Sequence, residues 1–301
     1  MGLLALCMGP LLACGPTELT DAGLDAGTPH DAAAVSDGGR SGTDTGLDAS
    51  SPIDANRLDA PSDAAHPLDA AQPLDAAQPI DAAMLDAHHA APTLGAHGLS
   101  FYRFNASSPT SISTPAMSTH DGSTLVVSIG RGDISAFALP TDSFGNTPYA
   151  QRDTTHAYHY WPTSGTALYT FVGAHGGANF RVTTTTPSAD EITIAAVEVL
   201  GGTSVVSSSW NDDTSGAGVS GNVTTTGPAT LVAFWWGEAD GSMTNTATPD
   251  GGFVVVDSVL EMGSLVQCAV AVRSVAVAGT YHVTWTATPS QAAQLWLVAV
   301  Q

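Results

Sequence analysis

Lysine is absent from this 301-residue chain: all seven basic residues are arginine, set against 28 acidic ones. The net charge of -21 excludes nucleic acid and anionic lipid headgroups as partners, because both are held by a basic surface that displaces their counterions. Cysteine is scarce as well. Cys7 and Cys14 lie near the start and Cys268 stands alone far downstream, so the C-terminal part can close no disulfide of its own and depends on its core, which a large domain can do. Cys268, inside the apolar run 265–272, reads as a small buried hydrophobe. Aromatic residues are missing from the front, since all six Trp and all six Tyr lie beyond Ser100. Residues 1–100 also hold fourteen of the acids and only two arginines. Only the second part can build a core. Long hydrophobic runs are lacking too: the opening MGLLALCMGPLL is far shorter than the ~20 residues of a membrane-spanning helix.

What the front does contain is a secretory-type apolar segment, then Leu11-Leu12-Ala13-Cys14-Gly15. These five residues resemble the lipobox of bacterial lipoproteins, although no positively charged residue precedes Gly2. The resemblance implies cleavage before Cys14, with residues 1–13 as signal peptide, and a lipid anchor on the Cys14 thiol. Several acyl chains are then expected, because one chain anchors only marginally at ~0.8 kcal/mol per buried CH₂. With Gly15 rather than an aspartate after the cysteine, the expected address is the outer membrane, if the host has one. The alternative is an ordinary secretory signal cut near Ala13, which would leave a free, secreted protein.

Residues 14–97 are built mainly from Asp, Ala, Gly, Pro and Ser, ending in hexads such as Pro67-Leu-Asp-Ala-Ala-Gln and Pro73-Leu-Asp-Ala-Ala-Gln. A proline every six residues costs a helix ~3 kcal/mol each time. Leu68, Leu74 and Ile80 recur at the period of a parallel β-helix, but three or four hexads make barely one coil, and solenoids need several. The expectation is a disordered tether spanning roughly 50 Å root-mean-square. Calcium binding by Asp63, Asp69, Asp75 and Asp81 does not fit, because a calcium site gathers its oxygens in one compact loop.

From residue 98 the pattern is one of short β-rich runs parted by turn residues. Strands are expected over 99–104, 124–129, 157–161, 167–172, 179–186 and 192–199. A second set is expected over 230–236, 253–260, 265–273, 280–287 and 294–300. The sets resemble each other: Thr124-Leu-Val-Val-Ser-Ile-Gly answers Thr230-Leu-Val-Ala-Phe-Trp-Trp-Gly, and Ile194-Ala-Ala-Val-Glu-Val answers Leu295-Trp-Leu-Val-Ala-Val. The predicted class is all-β, a pseudo-symmetric jelly-roll-like sandwich over 98–301 behind the tether. Two tandem domains of ~100 residues are the alternative. Thr124–Gly130, Asp142-Ser-Phe-Gly-Asn146 with Tyr149, Val197-Glu198-Val199 and Trp296-Leu-Val-Ala-Val also resemble a family of extracellular bacterial β modules of the Asp-Ser-x-Gly-Asn type. That resemblance implies surface display and no catalytic residues. The Asp-Ser-x-Gly-Asn stretch itself reads as a turn, capped by Asp142 with Gly145 and Asn146 tolerating positive φ.

Among chemistry-bearing residues, Glu198 sits between valines in an apolar strand. It is either a catalytic acid in a cleft or a core glutamate paired with Arg131 or Arg181, the latter favoured because structural ion pairs are common. Glycosidase chemistry needs a second carboxylate, and none is nominated. His156 and His159, three apart on a strand, would point to opposite faces, so no metal is expected. No phosphate loop, nucleophile elbow or zinc spacing occurs, no cofactor is implied, and Arg131-Gly132-Asp133 is too short a match to an adhesion tripeptide to carry weight. Trp210-Asn211-Asp212, expected in a loop, with Tyr158 and Tyr160, could bind a sugar ring; equally, Trp210 could plug the sandwich edge. The expected function is a lipid-anchored, non-catalytic surface module for envelope or extracellular polysaccharide. The alternatives are a hydrolase or lyase on a jelly roll, and a spacer or adhesin without ligand.

Overall fold

The computed structural model describes residues 91–102, 110–185, 190–238, 243–261, 263 and 266–301; the signal segment, Cys14 and the hexads lie outside them. Among the described residues there is no α-helix, only a 3-10 turn at Ile134–Ala136 between strands. One large sheet runs β1 (Thr93–Tyr102), β8 (Ile192–Leu200), β3 (Ser123–Arg131), β6 (Gly165–Ala174), β5 (Ala150–Ala157). Against it lies a small sheet of β2 (Ser111–Ser113), β7 (Val182–Thr185) and β4 (Thr141–Asp142). The second large sheet runs β9 (Val205–Asp213), β18 (Ala293–Val300), β12 (Ala229–Gly237), β15 (Cys268–Val275), β14 (Val254–Val259). Its small sheet is β10 (Ala217–Val219), β17 (Thr284–Thr288), β13 (Thr246–Pro249), supplemented by the pair β11 (Val223–Thr225) and β16 (Gly279–Tyr281). Leaving out β11 and β16, the strand orders of the two halves are identical. Each is the eight-stranded jelly-roll connection in five plus three strands, so the pseudo-symmetric jelly-roll-like sandwich expected from the repeat is present.

The large sheets pack face to face, and three apolar layers result. Leu125, Val127 and Ile129 of β3 face the first small sheet, while Leu231, Ala233 and Trp235 of β12 face the second. The alternate residues, among them Val126, Val197, Phe234, Trp236, Trp296 and Val298, form a central layer shared by both halves. Period-two alternation therefore sorts side chains between two cores rather than between core and solvent, which is why these strands are apolar throughout. β3 and β12 run in the same direction: Thr230 Oγ1 donates to Pro92 O ahead of β1, and Trp236 Nε1 donates to Ser128 Oγ at 3.1 Å. Each pole of the stack thus gathers ends from both sheets. Thr93, Ser123, Ala229 and the C-terminus lie at one pole, while Arg131, Gly165, Gly237 and Ala293 lie at the other.

Composition placed the domain start at 98, yet residues 93–97 belong to β1, because pairing with the buried end of β8 supplies what local propensity does not. The run expected as a strand at 157–161 is instead the end of β5 followed by a turn, and the run 280–287 is broken at 282–283. β9, with its polar Ser207-Ser-Ser-Trp-Asn-Asp, lies where Trp210-Asn211-Asp212 was expected in a loop. All four edge strands of the large sheets carry register irregularities: β1 at 94/97, β5 at 152/156, β14 at 255/257 and β9 opposite 299/300. Such bulges twist an edge away from further pairing and blunt it against aggregation.

Candidate functional site

Glu198 sits at the pole where β1 enters. On β8 it lies opposite the two-residue bulge Gly95-Ala96, with its side chain fully buried. Oε2 accepts from Ala96 N at 2.9 Å and Oε1 from His120 N at 2.5 Å, with the exposed His120 ring 3.4 Å away. A Cβ on Gly95 would run into this carboxylate. The expected arginine partner is not there. Arg131 pairs with Ile192, at the far end of β8 from Glu198, and bonds Asp190 at 3.2 Å, while Arg181 donates to Thr114 O. In place of an arginine, the buried Glu198 serves two backbone amides, Ala96 N in the bulge and His120 N, a partnership set by strand register. Because Arg131 is fully buried, the tripeptide it begins cannot present its guanidinium.

The Asp-Ser-x-Gly-Asn stretch is the turn its residues suggested. Asp142 Oδ1 accepts from Phe144 N and Asn146 N, its Oδ2 accepts from Tyr149 Oη at 2.6 Å, and Gly145 has φ 78°. Asn146 does not adopt positive φ; it bonds the backbone of His175 through both side-chain atoms. Burial first, and then the Asp142 carboxylate, push the Tyr149 hydroxyl far up.

The aromatic candidates collect at the other pole. Trp210 is in β9, not in a loop, directly opposite Trp296. Its ring stacks on His156 at 3.8 Å and 7°, so one face is already occupied, and it is the edge plug of the alternative reading. Asn211 Nδ2 donates to Val219 O. Tyr158 is buried in the central layer and its hydroxyl has no hydrogen-bond partner. The residues that do reach solvent are Tyr160, 56% exposed, and its neighbour Trp161, 48% exposed. His156 closes β5 and His159 lies in the following turn; no three His, Cys, Asp or Glu side chains converge for a metal among the described residues.

What holds the exposed pair is Glu238, directly after β12. Its two carboxylate oxygens accept from His159 N at 3.1 Å and Tyr160 N at 2.9 Å, and its carbonyl accepts from Trp161 Nε1 at 3.2 Å. Trp161 O accepts from Ser164 N at 2.7 Å, and Ser164 O accepts from Tyr158 N at 2.8 Å. A loop from one half is thus clamped by a carboxylate from the other. Burial first, and less strongly the negative charge of Asp212, raise the Glu238 carboxyl above the usual range. Glu238 escaped the sequence reading. The available signal was an acid directly after Phe234-Trp235-Trp236-Gly237.

Tyr160–Trp161 and Glu198 therefore occupy opposite poles, separated by roughly the 30 Å length of nine strand residues, and share no groove. Comparison with protein families, with curated proteins and with solved structures finds no match to this chain.

Proposed function

We propose that this chain is a lipid-anchored surface module without catalytic chemistry, which binds polysaccharide through the aromatic tip Tyr160–Trp161. The observation that carries the reading is the tip itself: large rings exposed on two consecutive residues of a loop whose backbone is held by Glu238. Exposed rings on a rigid loop suit stacking against the apolar face of a sugar, because little ordering entropy remains to be spent on binding. The tip also lies at the pole opposite Thr93, where the chain enters β1. A tether arriving there would present the rings away from the membrane.

In a screen of envelope and extracellular glycans, Trp161→Ala is expected to weaken binding by about tenfold or more, as for an interface anchor, with the unfolding midpoint unchanged. A bound glycan whose affinity ignores Trp161 would overturn the assignment of the tip. No bound glycan in a broad screen would leave the spacer or adhesin. The hydrolase reading has less support: the two oxygens of Glu198 are occupied by backbone amides.

Anchoring is tested separately at Cys14. Labelled palmitate should enter the protein, and Cys14→Ser should release it from membranes. Membrane retention of the unlabelled serine variant would refute the lipid anchor.

A further inference from the structure

The aromatic loop is bordered by the turn that follows β3, and that turn is acidic. Ser164 Oγ donates to Gly132 O at 3.0 Å, and Ile134 N donates to Thr163 O at 2.8 Å. Between these two bonded residues stands Asp133, which is exposed. Its carboxylate accepts from Ser135 Oγ at 2.6 Å and Ser135 N at 2.9 Å, and these bonds hold it below the usual carboxylate range. Gly132 N donates to Glu191 O at 3.1 Å, and a Cβ on Gly132 would run into the carboxylates of Glu191 and Asp190. Glu238 holds the same loop from the second half. Asp133, Asp190, Glu191 and Glu238 thus stand on or next to the residues that fix the loop.

Positive charge does not balance them. Arg131 is fully buried and bonds Asp190 at 3.2 Å, so it offsets that one acid and presents nothing to solvent. Arg152 donates to Thr170 Oγ1 and Arg181 to Thr114 O, while Arg273 lies over the Phe253 and Tyr281 rings. None of these contacts brings an arginine to the loop. Two histidines do lie there. His156 is bonded to Asp153, a further acid, at 3.1 Å, and the His159 ring stands edge-on to Tyr160. The surroundings of the exposed rings are therefore negative on balance.

We propose that the Tyr160–Trp161 tip accepts only saccharides without anionic groups, and that Asp133 and Glu191 are the residues that turn uronates and sulfated or phosphorylated sugars away. The inference rests on the binding reading above and names its ligand class. An aromatic face stacks on the apolar side of a charged or an uncharged sugar ring alike, so selection between them falls to the charges around it. Thr163, whose carbonyl is bonded next to Asp133, lies two residues past Trp161. An anionic group on a ring seated there would meet the Asp133 charge with little salt between them, because the screening length is about 8 Å at physiological ionic strength. No cation stands ready to pair with it, and an uncharged ring meets no such repulsion.

The test passes the full chain over immobilised polymers, glucomannan and dextran without anionic groups, polygalacturonate and hyaluronate with them. Trp161→Ala marks which retention runs through the tip, and far-ultraviolet circular dichroism checks that each variant is folded. The native chain should be retained by an uncharged polymer in a Trp161-dependent way and should pass both polyanions. Asp133→Arg should raise retention on polygalacturonate by about tenfold or more. Asp121→Arg makes the same change of charge at the opposite pole, on a side chain 79% exposed, and should leave the polyanions unbound. Asp133→Asn keeps an acceptor for Ser135 N, and combined with Glu191→Gln it should give a smaller gain of the same sign. Trp161-dependent retention of the native chain on either polyanion would overturn the inference while leaving the binding reading intact. Equal gains in Asp133→Arg and Asp121→Arg would overturn it too, by assigning the rejection to net charge. No Trp161-dependent retention on any glycan of the screen would overturn the binding reading, and this inference with it.

Discussion

Glu198→Ala should be the most damaging single substitution of a charged residue in the domain, lowering stability by about 3–5 kcal/mol. The carboxylate is fully buried and accepts from two backbone amides that belong to no strand ladder, Ala96 N in the β1 bulge and His120 N in the turn before β3. Alanine would deprive both donors of their acceptor and leave a void at a fully buried position. Glu198→Gln retains one oxygen and should cost roughly half as much. Gly95→Ala should also destabilise, since its Cβ would collide with the same carboxylate. Urea unfolding followed by circular dichroism measures all three. A Glu198→Ala loss below about 1 kcal/mol would show that the amides find other partners and that the bulge does not depend on this side chain.

The second large effect concerns the layer between the two jelly rolls. Trp236 is fully buried there, with Nε1 on Ser128 Oγ, and its ring lies over Gly130, where an added Cβ would meet it. Trp236→Ala is expected to cost about 3–5 kcal/mol, a midpoint lower by about 10 °C for a domain of this size. The form of the transition is as informative as its position. Because the central layer draws on both large sheets, the two halves should still unfold together, in one transition. Two resolved transitions, with only the one assigned to residues 205–301 displaced, would mean that each jelly roll is stable alone and that the shared layer couples them weakly. Gly130→Val reaches the same layer from the opposite sheet by overpacking, and should shift the same single transition.

Much of this architecture was legible in the amino-acid order. Thr124–Gly130 against Thr230–Gly237 marked the repeat, and the repeat is now visible as two sets of strands joined in the same order. The strands found most readily, β3, β8, β12 and β18, are those buried on both faces, because their apolar runs are dense. β2, β4, β10, β11 and β13 were missed: they are two to four residues long, too short for a period to register. β9 was missed for a different reason. Its serines and acids lie on an edge strand, where only one neighbour pairs with it and solvent reaches part of each face, so its composition resembled a loop.

The site divides along the same line. The turn at Asp142 was readable because its bonds span only a few residues, and local chemistry is written in local sequence. The partner of Glu198, the exposure of Trp161 and the role of Glu238 were not readable. Glu198 and Ala96 are 102 residues apart, and Glu238 and Tyr160 are 78 apart. Sequence by itself determined the all-β class, the repeat and the candidate residue types, since these follow from periodicity and composition. Which carboxylate meets which amide, and which ring reaches solvent, was decided only by strand register and by the packing of one jelly roll on the other, because a shift of one residue in either would turn each of those side chains to the opposite face.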